Sequence, residues 1–208
     1  MLRSTFSRLV LPALLCTLLL FGLSACEKGP RIAPLTPNSS IVAFGDSLTH
    51  GTGAGGGQPY PAVLSELLGI PVVNAGVPGE TTSEGLKRLP QVLAEHQPQL
   101  VILCEGGNDF LRRQSQKRLF DNLAEMITLI RDSGANVILV GVPQLGLLVD
   151  THPDYLRLAE AVKVPYEGEI VADLLTDRNL KSDTIHPNAT GYRLMAEAIH
   201  AVIVEAQK

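Results

Sequence analysis

Three short stretches of this chain carry side chains that could do chemistry together. Gly45-Asp46-Ser47-Leu48-Thr49-His50-Gly51 presents a serine, Gly106-Gly107-Asn108-Asp109 a carboxamide, and Asp183-Thr184-Ile185-His186-Pro187 an imidazole with a carboxylate three residues before it. A serine hydroxyl is a weak nucleophile at neutral pH and needs a base within hydrogen-bond reach. His186 is the right type of group to accept that proton and to return it to a leaving group. Asp183 is spaced to hold the far side of the imidazole and fix its tautomer. The chemistry this implies is acyl transfer through Ser47. The Gly-x-Ser-x-Gly elbow is absent, because Thr49 stands where its second glycine belongs, so an ordinary α/β-hydrolase turn is not the frame.

Other residues compete for these roles less well. Asp46 adjoins Ser47 but should point away and brace its loop, and Asp109 reads as turn chemistry. His152-Pro153-Asp154 has its acid after the histidine, while His50, His96 and His200 have no aspartate at the needed spacing. Cys104 sits inside Leu-Val-Ile-Leu-Cys, where a thiol is core. Gly51-Thr-Gly53-Ala-Gly-Gly56 satisfies a dinucleotide fingerprint, but it starts six residues after its strand and the next strand ends in Asn74 rather than an acid. It reads as a flexible rim. No metal-ligand spacing occurs, and neither metal nor cofactor is expected.

The elements that must position these groups alternate along the chain. Continuous apolar runs at 41–44, 71–74, 100–104 and 136–140 read as strands buried on both faces. Helical spacing fills the gaps. Residues 60–68 form one candidate, and Thr81 with Glu84 forms a capping box that opens a helix to about 95, made irregular by Pro90. Residues 116–133 and 188–205 complete the set, with Gly134 as a stop. The alternation predicts an α/β fold, a three-layer α/β/α doubly wound parallel sheet over residues 40–208. Ligands then gather beyond the carboxyl ends of the strands, at 45–51, 75–82, 105–110 and 141–152.

Taken together, Ser47, Gly76, Asn108 and His186 in that order, with GDSLTHG, NAGVPGETT and GGND around the first three, resemble the SGNH branch of the GDSL hydrolases. The resemblance covers the whole domain. It implies a flavodoxin-like fold, a triad of Ser47, Asp183 and His186, and an oxyanion hole made by the amides of Ser47 and Gly76 with the side chain of Asn108. It is strongest toward bacterial periplasmic multifunctional esterases with thioesterase, arylesterase and lysophospholipase activity, which implies a monomer acting on small-molecule or lipid acyl esters. After the fourth strand, Leu145, Leu147 and Leu148 could line an acyl groove or pack on the core. Two further functions stay open on this scaffold: a carbohydrate O-acetyl esterase of the cell envelope, and a non-catalytic envelope binding protein.

Composition bounds the partners. The 208 residues suit one domain, and with 4% aromatic residues and no Trp an aromatic platform for sugars or single strands is disfavoured. Arg3 and Arg8 precede an apolar run at 9–23, shorter than the roughly 20 residues a membrane span needs, so residues 1–25 read as a signal peptide. The run ends in Leu23-Ser24-Ala25-Cys26, which resembles the bacterial lipobox and implies acylation of Cys26 after cleavage. Residues 26–39, with Pro30, Pro34 and Pro37, then read as a lipidated tether. Losing two of the 17 basic residues with the signal leaves 15 against 21 acids, which excludes a nucleic-acid partner. The expected location is the cell envelope, facing the periplasm. Glu27 after the cysteine favours the outer membrane by the same resemblance.

Overall fold

A computed structural model describes residues 29–55, 58–144 and 149–208. The signal peptide expected at 1–25, the lipidation site Cys26 and the candidate groove residues Leu145, Leu147 and Leu148 lie outside the described residues.

The apolar runs become the centre of the fold. Strands β1 (Ile41–Gly45), β2 (Val72–Gly76), β3 (Leu100–Cys104) and β4 (Asn136–Val140) join a two-residue strand numbered β7 below. Every residue of β1 and β3 is buried, as strands covered by helices on both faces must be. Between β1 and β2 come α1 (Ser47–His50) and α2 (Tyr60–Leu68), and α3 (Thr82–His96) leads to β3. Beyond β3 lie α4 (Gly107–Leu111) and α5 (Gln116–Asp132). After β4 the chain forms β5 (Pro143–Gln144), β6 (Asp150–Thr151), α6 (Asp154–Val162), β7 (Tyr166–Glu167), α7 (Ile170–Thr176) and α8 (Ala189–Ala206).

The main sheet has the order β2-β1-β3-β4-β7 with every neighbour parallel, while β5 and β6 pair antiparallel apart from it. Ile41 stands opposite both Val72 and Leu100, so β1 runs level with its neighbours. Helices α2 and α8 pack on each other, as do α3 and α5. Each presents one apolar stripe to the sheet. In α5 that stripe is Leu119, Leu123, Met126, Ile127 and Ile130, all buried at helical spacing. The chain leaves β1 toward β2 on one side and returns to β3 on the other. The gap between the carboxyl ends of β1 and β3 is therefore the switch point where a doubly wound sheet opens a crevice.

Two expectations need correcting. Residues 29–39 do not hang free as a tether but form a strap across the amino ends of the strands. Ile32 and Ser39 are buried, Ile32 N donates to Ala206 O at 3.0 Å, and Leu35 N donates to Gln207 Oε1 at 2.7 Å. The apolar Ile32 and Leu35 explain why this proline-rich segment docks. Likewise, Pro90 does not break α3, which runs on from Thr82 to His96 with Pro90 on its exposed face and Leu89 toward the core.

Gly76 closes β2 where the strand meets α1. A β-carbon there would lie 2.1 Å from His50 N and 2.6 Å from Thr49 C. Gly76→Ala is therefore expected to destabilise the domain by about 1–3 kcal/mol, the usual cost of overpacking. Urea unfolding of the two proteins measures this, and equal midpoints would refute the close approach.

Candidate active site

Ser47 follows β1 as the first residue of α1, a single turn held open at its start by Asp46. The Asp46 side chain accepts the Leu48 amide at 2.9 Å, an N-cap that fixes the turn. The Ser47 Oγ then lies 3.0 Å from His186 Nε2, across 139 residues of chain. His186 is placed by its own loop. Asp183 Oδ1 accepts the amides of Ile185 at 2.8 Å and His186 at 2.9 Å, while Oδ2 faces His186 Nδ1 at 2.8 Å. Asn188, two residues on, caps α8 by accepting Gly191 N at 3.1 Å. The structure thus brings together the three residues expected for nucleophile, base and orienting acid.

The Asp183 carboxyl feels partial desolvation, which raises its pKa. The hydrogen bonds from the His186 ring and the Ile185 amide outweigh that and leave it below the ordinary carboxylate value. It is therefore ionised at neutral pH and can accept Nδ1–H, which leaves Nε2 with its lone pair toward Ser47. The imidazolium formed on proton transfer would sit against an anion.

Asn108 comes from α4, beyond β3 on the other side of the crevice. Its Nδ2 donates to Glu80 O at 2.9 Å and to Asp46 Oδ2 at 3.2 Å. Both neighbours are acceptors, so the amide face is settled: the NH2 group points to them. Asp46 is more than the loop brace expected from its position. It holds both the turn that carries Ser47 and the carboxamide that faces it. Burial pushes its pKa up to about 6, against the lowering effects of the Leu48 amide and His186. Because folding favours its protonated form, stability falls as pH rises from 3.8 to about 6. Above that window the carboxylate accepts from Asn108.

Gly76 is not brought to the crevice. Its amide donates to Asn74 Oδ1 at 3.0 Å and its α-carbon abuts α1, so it packs rather than binds. The backbone that lies against Asn108 is the next turn, Val77-Pro78-Gly79-Glu80. Glu80 N donates to Val77 O at 3.1 Å, and Gly79 has φ +81, which makes a type II turn with proline and glycine in their usual places. In such a turn the central amide is not used by the turn itself. Gly79 N donates to no protein atom among the described residues, nor does Ser47 N. Arg112 Nη2 donates to Gly79 O at 2.7 Å and ties this turn to the end of α4. The Pro-Gly dipeptide was the sequence signal for a presented amide, and it stands three residues beyond the glycine that the resemblance singled out.

A second tier of acids lies behind. Asp109 is not a surface turn residue: it is buried and accepts Thr82 N at 2.9 Å and Thr82 Oγ1 at 2.7 Å, clamping α4 to the start of α3. Glu80 is held by Arg88, whose Nε donates at 2.7 Å and whose guanidinium lies 4.1 Å over the Phe44 ring. Glu105 is fully buried, and desolvation with the charges of Asp46 and Glu80 pushes its pKa well up. Cys104 is buried and its thiol is likewise pushed up by desolvation, which suits core and not a nucleophile. His152 stacks between Phe110 and Phe120, with ring centroids 5.3 and 5.2 Å away, and takes no part in the triad.

The crevice in front of Ser47 and His186 is a pocket of about 240 Å³ whose apolar walls include Leu48, Phe110, Val142, Val171, Leu175 and Ile185. Arg113 and Asn108 supply its polar rim.

A family model for the GDSL-like lipase/acylhydrolase family matches residues 43–194. The arylesterase of Vibrio mimicus is 31% identical over 206 residues, covering 92% of this chain and 98% of that protein. The thioesterase 1/protease 1/lysophospholipase L1 of Escherichia coli is 27% identical over 195 residues, covering 90% and 88%. Among solved structures, a crystal structure of TesA superposes with a TM-score of 0.69 at 27% identity, covering 80% of this chain and 99% of that one. The SGNH-hydrolase family esterase AlinE4 gives 0.62 at 28% identity, covering 84% and 100%. The chain belongs to the GDSL-like lipase/acylhydrolase family. It is a serine ester hydrolase.

Two substitutions test the geometry. Asn108→Ala should keep substrate binding and lose turnover by about 100- to 1000-fold, the usual cost of one oxyanion donor. Unchanged kcat would remove it from that role. Asp46→Asn keeps an N-cap oxygen for Leu48 but sets one NH2 group against another at Asn108. A buried donor left without its acceptor costs about 1–3 kcal/mol, so kcat should fall about ten- to a hundredfold with KM little changed. A rise in KM with kcat unchanged would show that Asp46 does not position Asn108.

Proposed function

We propose that the chain hydrolyses acyl esters and acyl thioesters, aryl esters and lysophospholipids among them, through an acyl-enzyme on Ser47. His186 takes the Ser47 proton as the hydroxyl attacks the substrate carbonyl, then gives it to the departing alcohol or thiol. Asp183 orients the ring and stabilises the imidazolium. The developing oxyanion is received by the amides of Ser47 and Gly79, with Gly79 in the place first given to Gly76, and by Asn108 Nδ2 as one of its two N–H groups, which donate to Glu80 O and Asp46 Oδ2 in the free enzyme, turns toward it. Water then enters, His186 acts again as base, and the acid is released. The observation that carries this reading is the Ser47–His186–Asp183 relay at 3.0 and 2.8 Å, opening on a pocket with apolar walls. An acyl chain fits such walls better than a sugar does. The names of the Vibrio mimicus and Escherichia coli relatives agree in substrate class.

We further propose that the mature protein begins at Cys26 and is held by acyl chains on that residue in the bacterial cell envelope, facing the periplasm, most simply at the outer membrane. The signal-like run at 9–23 and the Leu-Ser-Ala-Cys end support this. Each buried lipid methylene contributes about 0.8 kcal/mol, so several chains anchor stably where one does so only marginally.

Initial rates on p-nitrophenyl esters from acetate to palmitate, for the wild type and Ser47→Ala, test the function. Activity on medium or long chains that vanishes in Ser47→Ala is expected. Activity confined to acetate would instead favour carbohydrate deacetylation, and equal rates in the two proteins would refute the serine mechanism. In the same series, Ser in place of Leu145, Leu147 and Leu148 should impair long chains more than acetate.

A further inference from the structure

The strap fixes where a lipid on Cys26 would hold the domain, and this conclusion rests on the lipoprotein reading above. From Ser40 at the foot of β1 the chain passes under the sheet. Leu35 N meets Gln207 at the end of α8, Ala33 N reaches Asn136 Oδ1 at the first residue of β4 at 3.4 Å, and Ile32 N meets Ala206 O. Gly29, Pro30 and Arg31 then share a surface hollow with Pro165, at the start of β7, and with Glu205 and Lys208. Every one of these partners is at the amino end of a strand or the carboxyl end of α8. The catalytic groups are all at the other end: Ser47 after β1, Asn108 after β3, and His186 before α8.

Chain length then limits the geometry. From Cys26 to Ile32, the first residue of the strap that is buried and hydrogen-bonded to the domain, is a step of six residues, which extends to about 22 Å at most. The strand β1 alone rises about 13 Å from Ile41 to Gly45, and a domain of this size is on the order of 40 Å across. A free tether of 13 residues, as the sequence implied, would let the pocket swing down to the bilayer. A strap docked from Ile32 onward about halves that reach and starts it from the face opposite the pocket.

We propose that the strap seats the amino-end face of the sheet on the membrane and directs the pocket away from it, so that the enzyme takes water-borne acyl esters in preference to acyl lipids of its own bilayer. The strap is the orienting element, and the membrane surface is its partner.

The test uses the full lipidated chain in vesicles of phosphatidylethanolamine and phosphatidylglycerol that carry an energy acceptor on a headgroup. A donor dye is placed at Lys208→Cys beside the strap or at Gln114→Cys beside α4. Cys104 is buried and an acylated Cys26 has no free thiol, so labelling is confined to the new cysteine. Transfer should be severalfold stronger from position 208 than from 114. A flexible glycine-serine insert between Gly29 and Pro30 should abolish the difference and raise hydrolysis of lysophospholipid in the same vesicle severalfold. It should leave the rate on soluble p-nitrophenyl butyrate unchanged. Mass measurement of the purified protein separates the failures. Acylated Cys26 with equal or reversed transfer overturns the orientation alone, whereas Cys26 without acyl chains overturns the anchor and the orientation together, leaving the esterase reading intact.

Discussion

The hydrogen bond between Asp46 and Asn108 joins the two halves of a doubly wound sheet where they part. One partner follows β1 and the other follows β3, on opposite sides of the switch point, and 62 residues separate them. Asp46 also caps the turn that carries Ser47. One carboxylate therefore sets the distance between the nucleophile and the group best placed to stabilise the charge it creates. Burial costs this carboxylate, as its pKa near 6 records, and the cost is tolerated because its oxygens meet an amide N–H and a carboxamide N–H. An aspartate that adjoins the serine without touching the histidine is thus a positioning group, and the acid of the relay, Asp183, comes from 136 residues beyond Ser47.

The same economy extends inward. Asp46, Glu80, Glu105 and Asp109 are buried acids in one region, and four negative charges there would repel strongly in a low dielectric. The structure removes the conflict in distinct ways. Glu80 is neutralised by Arg88, which itself lies on the Phe44 ring, and Asp109 is satisfied by two donors from Thr82. Glu105 has no paired cation among the described residues, and desolvation with its anionic neighbours pushes its pKa well up, which favours the neutral form. The loops after β2 and β3 are consequently pinned to each other from below, which preorganises the donors that face the substrate.

Much of this was legible in the sequence because the signals were long or chemically forced. Five-residue apolar runs have no solvated face, so β1 to β4 were readable, and the stripe of α5 fixed its buried side. The spacing of Asp183 and His186 announced their pairing because a carboxylate three residues before a histidine can accept backbone and ring N–H together. What escaped was short or contextual. The strand β7 has two residues and α7 seven, too few to display a period, whereas α6 carries Tyr155, Leu158, Ala159 and Val162 at helical spacing and went unread. The strap escaped because prolines mark an extended chain equally well whether it is free or docked, and only the tertiary fit of Ile32 distinguishes the two. Gly76 was misplaced for a similar reason. A glycine can be required for close packing or for a positive φ, and these demands look alike until Gly76 is seen against His50 and Gly79 at φ +81.

The fold and the relay define the reaction, whereas the pocket wall defines what is presented to it. That wall is built into the core. Phe110 lines the pocket and stacks on His152, His152 meets Phe120, and Phe120 meets Tyr155 edge-on at 5.2 Å. Tyr155 is fully buried and donates to Glu105 O at 2.6 Å, directly beneath the loop that carries Asn108. His152 Nδ1 accepts Asp154 N at 3.3 Å, which fixes the orientation of the ring within the stack. A chain of rings thus runs from the acyl wall to the backbone behind the oxyanion donors. Such a wall is formed before substrate arrives, and little ordering is left to be done on binding. The histidine that most resembled a second catalytic base in the sequence serves here as a ring in that stack, and its aspartate neighbour opens α6 and pairs with Arg157 instead.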